Sequence, residues 1–170
     1  MPLFLDACAL AKRYLHEGES TRRMRQITGG FDRWGGFIVS SLIEPEVISA
    51  FGKYARGKTP HEKHYYSLHP QVVDALRRDL SRPAFTIVPL SDDQVEAAAD
   101  LLRAHPEYAI GAADAIHLAT ALALVAQGGR LVFVTADRGL AEAARESGLT
   151  VFNPLQQRPE ELEALAGASD

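Results

Sequence analysis

Short apolar runs, each followed by a longer helix-compatible stretch, constrain this chain more than any other feature. Leu3-Phe4-Leu5 ends in Asp6 and gives way to Ala7 to Leu15. The pattern recurs at Phe37-Ile38-Val39 before Ser41 to Arg56, at Phe85 to Val88 before Ser91 to Ala104, and at Leu131 to Val134 before Arg138 to Ser147. Thr150-Val151-Phe152 supplies one more strand. Strands that alternate with helices pair in parallel, because each helix is the crossover that carries the chain back, and right-handed crossovers lay helices on both faces. The expected fold class is therefore α/β, a three-layer α/β/α sandwich with a central, mainly parallel sheet. Ser41, Ser91 and Gly148 read as helix start and stop signals.

With 170 residues, 46% of them hydrophobic, the chain can bury one substantial core, and its length suits a single domain rather than two. The sequence divides into one globular unit over 1–155, a helical clamp inserted at 59–82 and an acidic tail over 156–170. In the clamp Pro60 and Pro70 interrupt the helix, while Val72, Val73, Leu76 and Leu80 share an apolar face. Beyond Pro154 the composition predicts a short solvated helix with a frayed end.

The longest apolar stretch, Ala109 to Ala126, is broken by Asp114 and His117, and Met1 to Asp6 lacks the basic region of a secretory leader. A cytoplasmic protein with no membrane segment is expected. Cys8 is the single cysteine, which excludes an internal disulfide and a cysteine-built zinc site. A net charge of -4 argues against a protein that coats nucleic acid. Much of that charge lies in the tail, however, and Lys53, Arg56, Lys58 and Lys63 face only Glu62. This cluster is either a phosphate-attracting patch or a solvated helix end.

Ligands of open parallel sheets gather beyond the carboxyl ends of the strands. Asp6 and Asp137 both stand at such ends, where each is either a helix N-cap or part of a site. Asp114 lies near the start of a helix that is apolar on nearly every face, so its carboxylate needs a cap, a partner or a metal to offset its desolvation. His117, one turn on, reads as a satisfied packing residue. Glu46 borders the buried stripe Val47, Ala50, Phe51 and Tyr54, whereas Glu44 suits the first helical turn and its dipole.

Four blocks carry a resemblance. They are Leu5-Asp6-Ala7-Cys8-Ala9-Leu10-Ala11-Lys12-Arg13-Tyr14, Ser41 through Glu46 to Ala50, Ala113-Asp114-Ala115-Ile116-His117-Leu118-Ala119-Thr120-Ala121, and Val134-Thr135-Ala136-Asp137-Arg138-Gly139-Leu140. In this order they resemble the acidic blocks of PIN domains, most closely those of VapC toxins, over about Leu3 to Leu155. The resemblance implies a PIN-like sandwich and a metal-dependent endoribonuclease. In it Asp6, Glu46, Asp114 and Asp137 are the catalytic, metal-gathering set, Thr135 lies in the polar shell, and Mg2+ or Mn2+ is the cofactor. Hard carboxylate oxygens suit those ions, and phosphodiester hydrolysis needs activated water and a stabilised leaving oxygen. It further implies an RNA substrate, with Lys53, Arg56 and Lys58 as candidate phosphate contacts, a homodimer, a small antitoxin protein and a larger complex between them. Tyr65, Tyr66, Leu68, Val72 and Leu76 of the clamp are either candidate contacts for these protein partners or ordinary core packing. One departure stands out: Cys8 occupies a place where the family commonly has a small hydroxyl residue. The hydroxyl's interaction is therefore expected to be missing and a weakly reactive thiol exposed.

Two rivals remain. A PIN-like module that binds a partner without turnover has no chemical need for four gathered carboxylates. Gly52-Lys53-Tyr54-Ala55-Arg56-Gly57-Lys58-Thr59 formally matches the P-loop of nucleotide hydrolases, yet Tyr54 continues a helical stripe and Pro60 breaks the helix the motif requires.

Overall fold

Successive residues of a strand face opposite sides of a sheet. In β1 (Leu3–Leu5) this sends Leu3 and Leu5 into one core and Phe4 into another. The computed structural model describes residues 1–30, 33–56 and 64–167. The same division recurs in β2 (Phe37–Ser40), in β4 (Val132–Val134), where Phe133 opposes Val132 and Val134, and in β5 (Thr150–Phe152). With β3 (Phe85–Val88) these form one sheet of order β3-β2-β1-β4-β5, and every pairing is parallel.

One face carries α1 (Ala7–Ala11), α2 (Glu19–Gly29), α3 (Ile43–Arg56), α4 (His64–Leu80) and α8 (Pro159–Gly167). On the other lie α6 (Ala112–Ala126) and α7 (Arg138–Glu146), and α5 (Asp92–Ala104) packs on α6 through Ala98, Ala115 and Ala119. This is the three-layer α/β/α sandwich that the alternating pattern predicts. The pairing of Leu5 with Val134 sets the next residues, Asp6 and Thr135, side by side at the carboxyl edge of the sheet.

Several local expectations change. The first helix stops at Ala11 and continues only as turns to Leu15. α2 has no apolar stripe to announce it, because its inward positions include Ser20, Thr21 and Thr28 beside Met24 and Ile27. The hydroxyls of Thr21 and Thr28 bond to the backbone carbonyls of Leu15 and Met24, which lets polar residues serve on a buried face. Ser41 does not open α3. The helix begins at Ile43, and the Ser41 hydroxyl accepts from Leu90 N–H at 3.1 Å, tying β2 to the exit of β3.

α4 runs on through Pro70, which forfeits one backbone donor without ending the helix. Leu76 is fully buried and Val72 packs against the same core, so these two residues are packing residues rather than an open contact surface. The side chains of Tyr65, Tyr66 and Leu68 lie outside the described residues. The last helix is not merely solvated, because Leu162 is fully buried and Leu165 packs beside it. Arg33 reaches Glu163 at 2.7 Å. Ser91 caps α5 in a capping box with Gln94, and Gly148 closes α7 at φ +87. Among the described residues no helix is long and apolar enough to cross a membrane.

Candidate active site

Asp6 leaves the end of β1 as the N-cap of α1 and is wholly buried. Its Oδ1 accepts from Ala9 N–H at 2.7 Å, and its Oδ2 accepts from the Thr135 hydroxyl at 2.7 Å and the Cys8 thiol at 2.9 Å. All three donors are neutral. Burial pushes the Asp6 carboxyl up to about 6 against these bonds and the pull of nearby His117. Cys8 therefore puts a thiol donor where a hydroxyl would stand, and its sulfur also accepts from Ala136 N–H at 3.1 Å. The expectation of a reactive thiol fails, since burial, followed by the Asp6 charge, raises the Cys8 pKa well above its ordinary value.

Asp137 caps α7, its Oδ1 accepting from Leu140 N–H at 2.7 Å, while its own N–H donates to Thr135 Oγ at 3.0 Å. Thr135, fully buried, thus links the two strand-end acids. Gly139 is required here: a Cβ would stand 2.3 Å from the Tyr108 carbonyl oxygen, so only glycine lets the turn Pro106–Tyr108 reach the first turn of α7. Gly111 is the N-cap of α6, and the third helical residue, Asp114, accepts from its N–H through Oδ2 at 3.2 Å. Glu46 stands in the first turn of α3 and meets Nε2 of the buried His117. Glu44 of the same turn instead pairs with Arg77 of α4 at 2.7 Å.

These side chains share one electrostatic neighbourhood. The Asp114 carboxyl is raised first by burial and then by the charges of Glu46 and Asp137, and His117 acts on both Asp6 and Asp114. The donor set suits a hard divalent cation. Glu46, Asp114 and Asp137 each commit one carboxylate oxygen to a protein donor, leaving the other for a ligand. The acids do not converge into a closed cage. Among the described residues, the trio of ligand atoms within 4.8 Å of one another is a different one, His105, Glu107 and Glu146.

Cap and ligand site, which the residue pattern alone presents as alternatives, are thus compatible in Asp137, which keeps Oδ2 open, whereas both oxygens of Asp6 already accept protein donors. Ser40 and the role of His117 are what sequence reasoning passes over. The signal for His117 is its place one turn after Asp114 in an otherwise apolar helix. Lys53 is exposed on α3, seven residues from Glu46, or about 10 Å along a helix axis. Lys58 and the side chain of Arg56 lie outside the described residues. Gly52 through Arg56 are helical, which is incompatible with the loop that a P-loop requires.

The PIN domain family model matches residues 3–146. Among curated proteins none matches. Of solved structures, VapBC2 from Rickettsia felis bound to a DNA fragment from its promoter is similar at a TM-score of 0.55 and 15% identity, over 90% of this chain and 98% of that one. PAE2754 from Pyrobaculum aerophilum is similar at a TM-score of 0.54 and 21% identity, over 99% of this chain and 100% of that one. At such identities the structural likeness speaks for the fold, and the family model spans most of the sequence, including all four acids. The chain belongs to the PIN domain family, whose members are generally nucleases.

Proposed function

We propose that this chain is a metal-dependent endoribonuclease, the toxin of a toxin–antitoxin pair, that hydrolyses RNA phosphodiester bonds with Asp6, Glu46, Asp114 and Asp137. One observation carries the reading: Asp6 is wholly buried and held only by neutral donors, joined through Thr135 to Asp137 and through the nearby His117 to Asp114 and Glu46. Burying a carboxylate without a cation is costly, and a divalent ion answers that cost. PIN nucleases usually use such an ion. When bound, it supplies activation of water and neutralisation of charge on the departing oxygen. Asp6 and Asp114 are its principal holders, with Asp137 and Glu46 completing the set and Thr135 fixing the Asp6 carboxylate. The VapBC2 complex supports an antitoxin as partner, and a homodimer and a larger assembly with that antitoxin belong to the same reading.

Purified protein is expected to cut single-stranded RNA in magnesium or manganese and to stop when a chelator is added. Cleavage undiminished by chelation contradicts the mechanism. Metal binding without cleavage of any RNA would favour a PIN-like binding module.

A further inference from the structure

Four groups at the exit of β2 form a hydrogen-bond chain with a direction. Leu42 N–H donates to Ser40 Oγ at 3.2 Å, so the single hydroxyl hydrogen of Ser40 is available to its other neighbour, His117 Nδ1, at 3.0 Å. An imidazole that accepts at Nδ1 carries its proton on Nε2. Nε2 in turn meets Glu46 Oε2, an ionised oxygen that can only accept. The opposite tautomer would set a lone pair against the carboxylate. Ser40 and His117 are both fully buried, and the Phe4 ring stands edge-on to the imidazole at 6.4 Å and 72°. Both ring nitrogens are committed to protein partners, which removes His117 from the candidate metal ligands.

We propose that His117 is a positioning residue: with its Nε2–H directed at Glu46 and its Nδ1 at Ser40, it holds one oxygen of Glu46 and keeps the other in place for the cation shared with Asp6, Asp114 and Asp137. The inference rests on the metal-site reading above and deepens it. Groups that orient metal-holding side chains typically matter at the level of about 10–100-fold in metal affinity. Removal of the Nε2–H donor is expected to act on that scale because Glu46, on a flexible side chain, then has no fixed rotamer. A packing role alone would make the shape of the side chain matter and its donor irrelevant.

The test pairs His117→Gln, whose amide retains a donor, with His117→Leu, which fills the space without one. Each is checked for folding by circular dichroism and titrated with Mn2+, following the free ion by its electron spin resonance. The expected result is a weakening of Mn2+ binding by about 10–100-fold in His117→Leu and recovery of most of it in His117→Gln. Equal weakening in both variants, or none in His117→Leu, overturns the proposal. Nitrogen-15 spectra of histidine-labelled wild-type protein keep the question decidable if a variant fails to fold. His117 should show the Nε2–H tautomer, and its signal should move in Glu46→Gln; an Nδ1–H tautomer overturns the relay. Wild-type protein that binds no Mn2+ would instead sink the metal site itself, whatever the tautomer.

Discussion

Asp6 and Asp79 are both buried aspartates, at 0% and 6% exposure, yet the protein answers their charges in different ways. Asp79, near the end of α4, receives Arg13 Nε at 2.8 Å, the Tyr14 hydroxyl at 2.9 Å and Arg82 Nε at 3.3 Å. Two guanidinium groups neutralise it, and Arg13 goes on to donate to Thr28 Oγ at 2.7 Å, binding α2 and α4 to the turns after α1. Asp6 has a backbone N–H, a hydroxyl and a thiol, Thr135 ties it to Asp137, and the His117 that acts on it acts on Asp114 as well. A carboxylate with its counter-charge built in is part of the fold. One buried without such a charge makes sense with a cation from solution. The two sites stand at opposite ends of one short segment, Asp6 to Tyr14, so the difference reflects the surroundings rather than the depth of burial.

Paired asparagine substitutions should break the comparison most strongly. Asp114→Asn should lower cleavage by more than about 100-fold, beyond the range seen for groups that merely orient ligands, and leave the metal-free protein as stable or more so. Asp79→Asn should leave metal binding intact and cost about 2–3 kcal/mol in a denaturant melt, somewhat below a fully buried broken pair because Arg13 is partly solvated. If Asp114→Asn cleaves at the wild-type rate, or Asp79→Asn abolishes the response to metal, the division fails.

The second expectation concerns pH. The folded Asp6 carboxyl holds its proton to about 6, against 3.8 for the ordinary group. Between those values the folded state binds more protons than the unfolded one, so the metal-free protein should lose stability as pH rises from about 4 to about 6 and level off above. At 1.36 kcal/mol per pH unit the change is on the order of 3 kcal/mol. Urea melts in chelator across this window check the sign, and a gain in stability with rising pH would contradict it.

A smaller effect is expected at Gly139. Gly139→Ala drives a Cβ into the Tyr108 carbonyl, so the turn must retreat from α7. The cost should be about 1–3 kcal/mol by thermal melting, with reduced cleavage because Asp137 rides on the same turn. An unchanged melt would show that the turn yields freely. The smallest effect concerns Lys53 and Lys58. Lys53→Ala combined with Lys58→Ala should reduce the salt slope of RNA binding by about 1 for each phosphate no longer neutralised, with metal affinity unchanged. An unaltered slope returns these lysines to ordinary surface.

The sheet is legible because its strands are short, largely apolar runs, with only Thr86 inside β3 and Ser40 and Thr150 at strand ends departing from that, and the placement of the acids because each sits at a strand end or helix start where the pattern itself breaks. α2 was not legible, since hydroxyls bonded to carbonyls look polar in sequence while lying buried in space. Nor was the Ser40–His117–Glu46 relay. Its members come from β2, α6 and α3, and only the folded contact gives the imidazole a direction. For Asp6 and Asp137 the sequence offered cap or site as alternatives. A carboxylate has two oxygens, and Asp137 gives one to its cap and keeps one for a ligand, which no spacing rule can express.

The central claim is that these four acids are one divalent-metal site, and thermal melting with and without Mn2+ tests it most directly. Ligand that binds only the native state raises stability by RT ln(1 + [L]/Kd), about 2.7 kcal/mol at a hundredfold excess over Kd. The wild-type Tm should rise with Mn2+ at pH 7.5 and rise much less at pH 5, where Asp6 holds its proton. In Asp114→Asn the rise should largely vanish at both pH values, and in Asp79→Asn it should match the wild type. A Tm that does not respond to Mn2+ in the wild type, or responds equally in Asp114→Asn, would contradict the account.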